Sequence, residues 1–117
     1  MQDISSGRRL LEELLRQEEL PTVIFAATDD MAVGKLNCAL DHGLRVPDDI
    51  SIIGFDGSAV AEIVRPAITS MQQPVDELGR KSVEYIHQLI ANPEFVFQED
   101  IILQHWLVER ESFKPRA

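Results

Sequence analysis

Apolar residues along the chain fall at helical spacing in some segments and in unbroken runs in others. In residues 5–19, Leu10, Leu11, Leu14 and Leu15 recur at the i, i+3, i+4 spacing of one helical face with charges between them, which predicts an amphipathic helix. It must stop before Pro21, because the residue ahead of a proline disfavours helical backbone. Residues 22–27 (Thr-Val-Ile-Phe-Ala-Ala) form an unbroken, β-branched apolar run, the signature of a parallel-sheet strand covered on both faces. Thr28 and Asp29 are helix caps by type, and Asp30 adds negative charge where a helix start is partially positive. The helix that follows turns Val33, Leu36, Ala39 and Leu40 inward and ends at Gly43, a left-handed C′ position with Leu44 beyond it.

A turn over 45–49 leads to a second buried strand over 50–54, which breaks off at Phe55-Asp56-Gly57-Ser58. Connections this short make the two strands parallel, with a right-handed crossover. One or two helical turns over 59–64, a third strand over 67–71, a long amphipathic helix from Val75 to the Asn92-Pro93 stop, and a last strand over about 100–108 complete the pattern, leaving 109–117 as a polar exit segment. No repeat or linker interrupts it. The fold class is therefore α/β, an open parallel sheet with helices on both faces, and residues 1–117 form one domain.

Composition narrows the function. With 117 residues, 44% hydrophobic and 26% charged, the chain has the balance of one globular domain rather than of a disordered tail. Eleven basic against twenty acidic residues leave a net charge of −9, with no basic stripe to bind nucleic acid. The longest apolar stretches, 22–28 and 101–103, fall far short of the ~20 residues that cross a bilayer. One cysteine, Cys38, and no leader-like start make the reducing cytoplasm the expected compartment. His42, His87 and His105 are too widely spaced for a metal site, and no cofactor is expected.

Open parallel sheets bind ligands beyond the carboxyl ends of their strands, which singles out Thr28, Asp29, Asp30, Phe55 and Asp56. Gly54 and Gly57 bracket Asp56, so its carboxylate can point into the crevice, or it can serve an Asx turn or helix cap. Asp29 reads as a cap. Thr28 reads either as a ligand donor or as a partner in that capping. Acidic residues at two strand ends also fit a magnesium-dependent phosphoacceptor, but the third strand ends in Met71-Gln72-Gln73 without the lysine that chemistry needs. There is no nucleophile elbow and no glycine-rich phosphate loop. Trp106 is a core or interface residue before it is a sugar-stacking platform.

Ala26-Ala-Thr-Asp-Asp-Met-Ala-Val-Gly34, Gly43-Leu-Arg-Val-Pro-Asp-Asp-Ile-Ser-Ile-Ile-Gly-Phe-Asp56, Pro66-Ala-Ile-Thr-Ser-Met-Gln-Gln-Pro74, Leu78-Gly79 and Leu107-Val-Glu-Arg-Glu-Ser112 occur in this order. Together they resemble the LacI/GalR family of bacterial transcriptional regulators from about Ser5 onward. The resemblance implies the C-terminal part of a two-lobed, periplasmic-binding-protein-like effector domain, in which a sugar or related metabolite binds between lobes and controls DNA binding by a separate head. That head and the earlier part of the effector domain would precede Met1, making 1–117 an incomplete domain that reaches DNA only through the head. By the same resemblance Asp56 is a ligand contact, Thr28 stands where the family usually has Asn, Gly57 stands where a second Asp is frequent, and Gln73 lies near the ligand. Val33, Asn37, Ile63 and Val64 match positions of dimer contacts. The strand at 23–27 and the helix from Val75 would lack neighbours, which implies homodimerisation or domain exchange. A transport-type sugar-binding protein of the same fold is the alternative reading.

Overall fold

The structure is a computed structural model, and it describes residues 3–96 and 99–116. The chain divides into two compact units: Met1–Gln72 with Trp106–Ala117, and Gln73–His105.

The first unit holds helices α1 (Ile4–Leu14), α2 (Asp29–Asp41) and α3 (Ala59–Ile63) and strands β1 (Val23–Phe25), β2 (Ser51–Asp56), β3 (Thr69–Gln72) and β4 (Trp106–Val108). Helix α4 (Val75–Ala91) belongs to the second unit. The strands form one sheet in the order β1-β2-β3-β4, with β1, β2 and β3 mutually parallel as the short connections predict. The last strand departs from the all-parallel expectation. Trp106 pairs with Gln72 and Val108 with Ser70, so β4 is antiparallel and the sheet is mixed. The excursion 73–105 leaves from the carboxyl end of β3 and returns at that same end, so the strand that follows it runs backward. The predicted strand over 100–108 shrinks to its last three residues.

Local chemistry sets the helix ends. Asp3 caps α1 with a reciprocal pair: its carboxylate accepts from Ser6 N at 2.8 Å, while its own N–H donates to Ser6 Oγ at 2.9 Å. The helix closes at Leu14 with Leu15 as its C-cap, short of the predicted limit of Glu19. Helix α2 ends as predicted. Leu44 N–H donates to Ala39 O at 2.9 Å and Gly43 N–H to Leu40 O at 3.0 Å, with Gly43 at φ 77°.

Two glycines let α1 and α2 cross closely. A Cβ on Gly7 would run into the backbone of Met31, and one on Gly34 into the carbonyl of Ile4. Beneath this pair, Ala26, Met31, Ala32, Val33, Leu36, Ile52, Ala61 and Ile68 make one core cluster, and Leu11, Ile24, Cys38, Ala39 and Ile50 another. The helices of this unit thus gather on the sheet face of Ile24 and Ile52. By register the opposite face carries Val23, Phe25, Ile53, Phe55, Met71 and Leu107. There Phe25 is 60% exposed and meets Phe55 edge to face, ring centres 6.4 Å apart.

The segment after β4 is more than a polar exit. Ser112 is fully buried: its N–H donates to Ala67 O at 2.9 Å, its carbonyl accepts from Ile52 N at 2.9 Å, and its hydroxyl accepts from Thr69 N at 2.9 Å and donates to Ile52 O. It bridges β2 to the start of β3 below the point where those strands pair directly. Arg110 reinforces the seam, donating from its N–H to Thr69 Oγ1 at 2.8 Å and from its guanidinium to Ile68 O at 2.7 Å.

In the second unit, α4 has no buried residue, and its apolar positions Val75, Val83, Ile86 and Ile90 are exposed. Leu78, Ser82 and Tyr85 of α4 form with Ile101 and Leu103 the walls of an open cavity of about 330 Å³.

Candidate functional site

The carboxyl ends of β1 and β2 place Thr28 and Asp56 at one edge of the sheet. Thr28 is the N-cap of α2, its Oγ1 accepting from Met31 N at 3.2 Å. The capping role read for Asp29 therefore belongs to Thr28. Asp29, at the first helical position, turns inward instead and is 1% exposed. Its Oδ2 accepts from Ser58 N at 2.7 Å and from Ser58 Oγ at 2.9 Å, and its Oδ1 accepts from Ser70 Oγ at 2.6 Å. A buried carboxylate is tolerable only when hydrogen-bonded, and these three donors meet that need. Gly54 makes room for it, because a Cβ there would strike the Asp29 carboxylate.

Asp56 is the last residue of β2, half-buried, and has a φ of 118°. Its side chain does not cap α3, whose N-cap is Ser58, so the N-cap alternative for Asp56 is removed. A positive φ costs a residue with a Cβ about 1–3 kcal/mol and persists only where the surroundings enforce it. Gln72 Nε2 donates to the Asp56 carbonyl at 3.4 Å, and the next N–H, on Gly57, donates to Ser70 Oγ at 3.1 Å. Gly57 itself sits at φ 73°, and a Cβ there would collide with the Gln72 carboxamide. A second aspartate at position 57 would meet both obstacles.

Gln73 opens the second unit, where its carbonyl accepts from Val75 N at 2.9 Å and the residue lines an open cavity with Pro74, Leu78, Ile101 and His105. The structure thus brings Thr28 and Asp56 to one edge and places Gln73 in the other unit. Of the positions read as dimer contacts, Asn37 is exposed, Ile63 is 74% exposed and Val64 is half-buried against the core. Val33 differs: at 4% exposure it packs among Met31, Leu36 and Ile52, so its own core takes up the side chain and leaves none for a partner.

The Asp29–Ser58–Ser70 cluster escaped the sequence reading. Period two along a strand sets Ser70 opposite in face to Thr69 and Met71, but only the β2–β3 register places it beside Gly54. Among the described residues, no group of three or more His, Cys, Asp or Glu side chains is placed to hold a metal ion, and no helix is long and apolar enough to cross a membrane. His42 Nδ1 instead lies 2.8 Å from the Cys38 carbonyl, and burial pushes the Cys38 thiol pKa up.

The family model of the periplasmic binding protein-like domain matches residues 2–113. Catabolite control protein A of Priestia megaterium is 39% identical over 109 residues, covering 93% of this chain and 32% of that protein. The crystal structure of a LacI family transcriptional regulator from Enterococcus faecalis with bound ribose superposes on the whole chain and 43% of its own, with a TM-score of 0.87 and 32% identity. A putative LacI-type regulator from Bacillus cereus subsp. cytotoxis superposes with a TM-score of 0.92 at 27% identity, covering 99% of this chain and 41% of its own. The chain spans about a third of the length of the curated relatives it matches. The match over residues 2–113 and these relatives agree: the chain belongs to the periplasmic binding protein-like domain family, in the form that LacI-type regulators carry.

Proposed function

We propose that the chain is the sensing portion of a LacI-type transcriptional regulator and that its effector is a sugar. The observation that carries this reading is Asp56, a carboxylate held at positive φ at the carboxyl end of the central parallel strands, where this architecture takes its ligands. The ribose in the related Enterococcus faecalis regulator supports a polyhydroxylated ligand. Asp56 would accept hydrogen bonds from two ligand hydroxyls. Thr28, whose oxygen already accepts from Met31 N, keeps a hydroxyl proton to donate. Binding would bias the relative populations of two domain states and so alter the DNA affinity of a separate head, which is signalling by population shift rather than catalysis. With a net charge of −9 the chain itself offers DNA no complementary field. Homodimerisation through the exposed Asn37 and Ile63 and a cytoplasmic setting belong to the same reading.

Isothermal titration of the 117-residue chain with aldopentoses, aldohexoses, a disaccharide and purine bases tests it. Saturable binding of a sugar is expected. Asp56→Asn should weaken it by roughly 10- to 150-fold, the equivalent of about 1.5–3 kcal/mol for a hydrogen bond to a charged acceptor. Binding left intact by Asp56→Asn, or binding of purines alone, overturns the proposal.

A further inference from the structure

Three consecutive residues at the end of β2 each have one backbone group held by a side chain from elsewhere in the first unit. The Asp56 carbonyl accepts from Gln72 Nε2, the Gly57 N–H donates to Ser70 Oγ, and the Ser58 N–H donates to Asp29 Oδ2. Two of these tethers converge on one carboxylate. Asp29 takes the Ser70 hydroxyl proton on Oδ1 at 2.6 Å, which turns a Ser70 lone pair toward Gly57, and it takes both Ser58 donors on Oδ2. Asp29 and Ser70 are almost fully buried, so solvent offers little substitute for either partner. Asp29 is anchored at the start of α2 and Ser70 in the interior of the sheet, so the tether spans two rigid elements.

We propose that Asp29, acting through Ser58 and Ser70, is the positioning residue that holds Asp56 in its positive-φ, ligand-accepting conformation. This rests on the reading of Asp56 as the acceptor of ligand hydroxyls. Asp29 itself touches no ligand: its carboxylate is buried beneath the turn and its hydrogen bonds go to the two serines. Its contribution is to fix the turn before the ligand arrives, so that binding need not select a rare backbone state.

The test is amide hydrogen exchange by NMR on the full chain, without any sugar, for Ser70→Ala and Asp29→Asn beside the unaltered protein. Ser70→Ala should speed exchange at Gly57 by about tenfold or more while Ile52 and Ile53 keep their protection, the pattern of local rather than global opening. Asp29→Asn exchanges one of two acceptor oxygens for a donor, and should speed exchange at Ser58 in the same local manner. In both variants the Asp56 amide-to-Hα coupling should rise from the small value of its positive φ toward that of extended chain. Where Ser70→Ala unfolds the chain, Ser58→Ala reports instead, since it deletes only one of the donors on Oδ2. Exchange that rises evenly along β2, or a coupling that stays put, overturns the proposal. A chain blind to every sugar overturns the ligand reading of Asp56 and leaves this result standing.

Discussion

Replacing Ser112 by Ala removes one oxygen and strips two buried backbone groups of their partner. Thr69 N–H loses an acceptor at 2.9 Å, and Ile52 C=O loses a donor, both on residues with no solvent exposure. An orphaned buried group costs about 1–3 kcal/mol, so two of them, less the saving from no longer burying the hydroxyl, amount to about 2–4 kcal/mol. Domains of this size are stable by only about 5–15 kcal/mol, so the loss is a large share of the total. Urea unfolding followed by circular dichroism measures it. With a slope of about 1–3 kcal/mol per molar, the midpoint should fall by about 1–2 M at unchanged slope. Ser82→Ala is the control, because its hydroxyl bonds the Leu78 carbonyl on an exposed helix surface and its loss should stay within about 0.5 kcal/mol. A Ser112→Ala midpoint as close to the parent as the control's would refute the claim that this hydroxyl joins β2 to β3.

The strain at Asp56 predicts a gain on its removal: Asp56→Gly should stabilise the fold by about 0.5–2 kcal/mol, the relief of positive φ less the greater freedom of an unfolded glycine, and a lowered melting temperature would contradict it. Cys38 is buried and its thiol pKa is raised by that burial, so an aromatic disulfide reagent should label it at the opening rate of the α1–α2 packing, whereas labelling at the rate of a free thiol would contradict its placement. The Lys114 ammonium 2.6 Å from Asp48 and the Arg45 guanidinium on Asp49 hold both carboxyls below the usual 3.8. Because the folded-state values are the lower ones, this stabilisation is present above pH 3.8 and is lost as pH falls through the folded values. Thermal melts between about pH 5 and pH 2 should therefore show Asp48→Asn less sensitive to acid than the parent, and parallel curves would remove the pairing with Lys114 as a cause.

The helices were legible because their signals are local. Thr28 and Gly43 mark the two ends of α2, and the spacing of Val33, Leu36 and Ala39 marks its inner face, all within thirteen helical residues and their caps. The strand cores were legible as apolar runs with proline and glycine stops. Asp56 was legible as a candidate because its position after a strand and between two glycines is itself a sequence pattern.

What only the tertiary structure decided has a common cause: it depends on contacts between residues far apart in the chain. The backward direction of β4 follows from where the 73–105 excursion returns, which no periodicity in 106–108 encodes. The inward turn of Asp29, which leaves the cap to Thr28, follows from Ser58 and Ser70, 29 and 41 residues beyond Asp29, arriving beneath α2. Ser112, read as part of a polar exit, became a fully buried bridge because Ile52 and Thr69, 60 and 43 residues earlier, bring two unpaired backbone groups to the same point. The sequence by itself determined the elements, their order and the aspartate at the strand end, since helix caps, side-chain period and chain breaks act over a few residues. Partners for buried polar groups were settled only when the chain closed on itself, because a hydrogen bond is specified by a meeting in space that short-range pattern does not record.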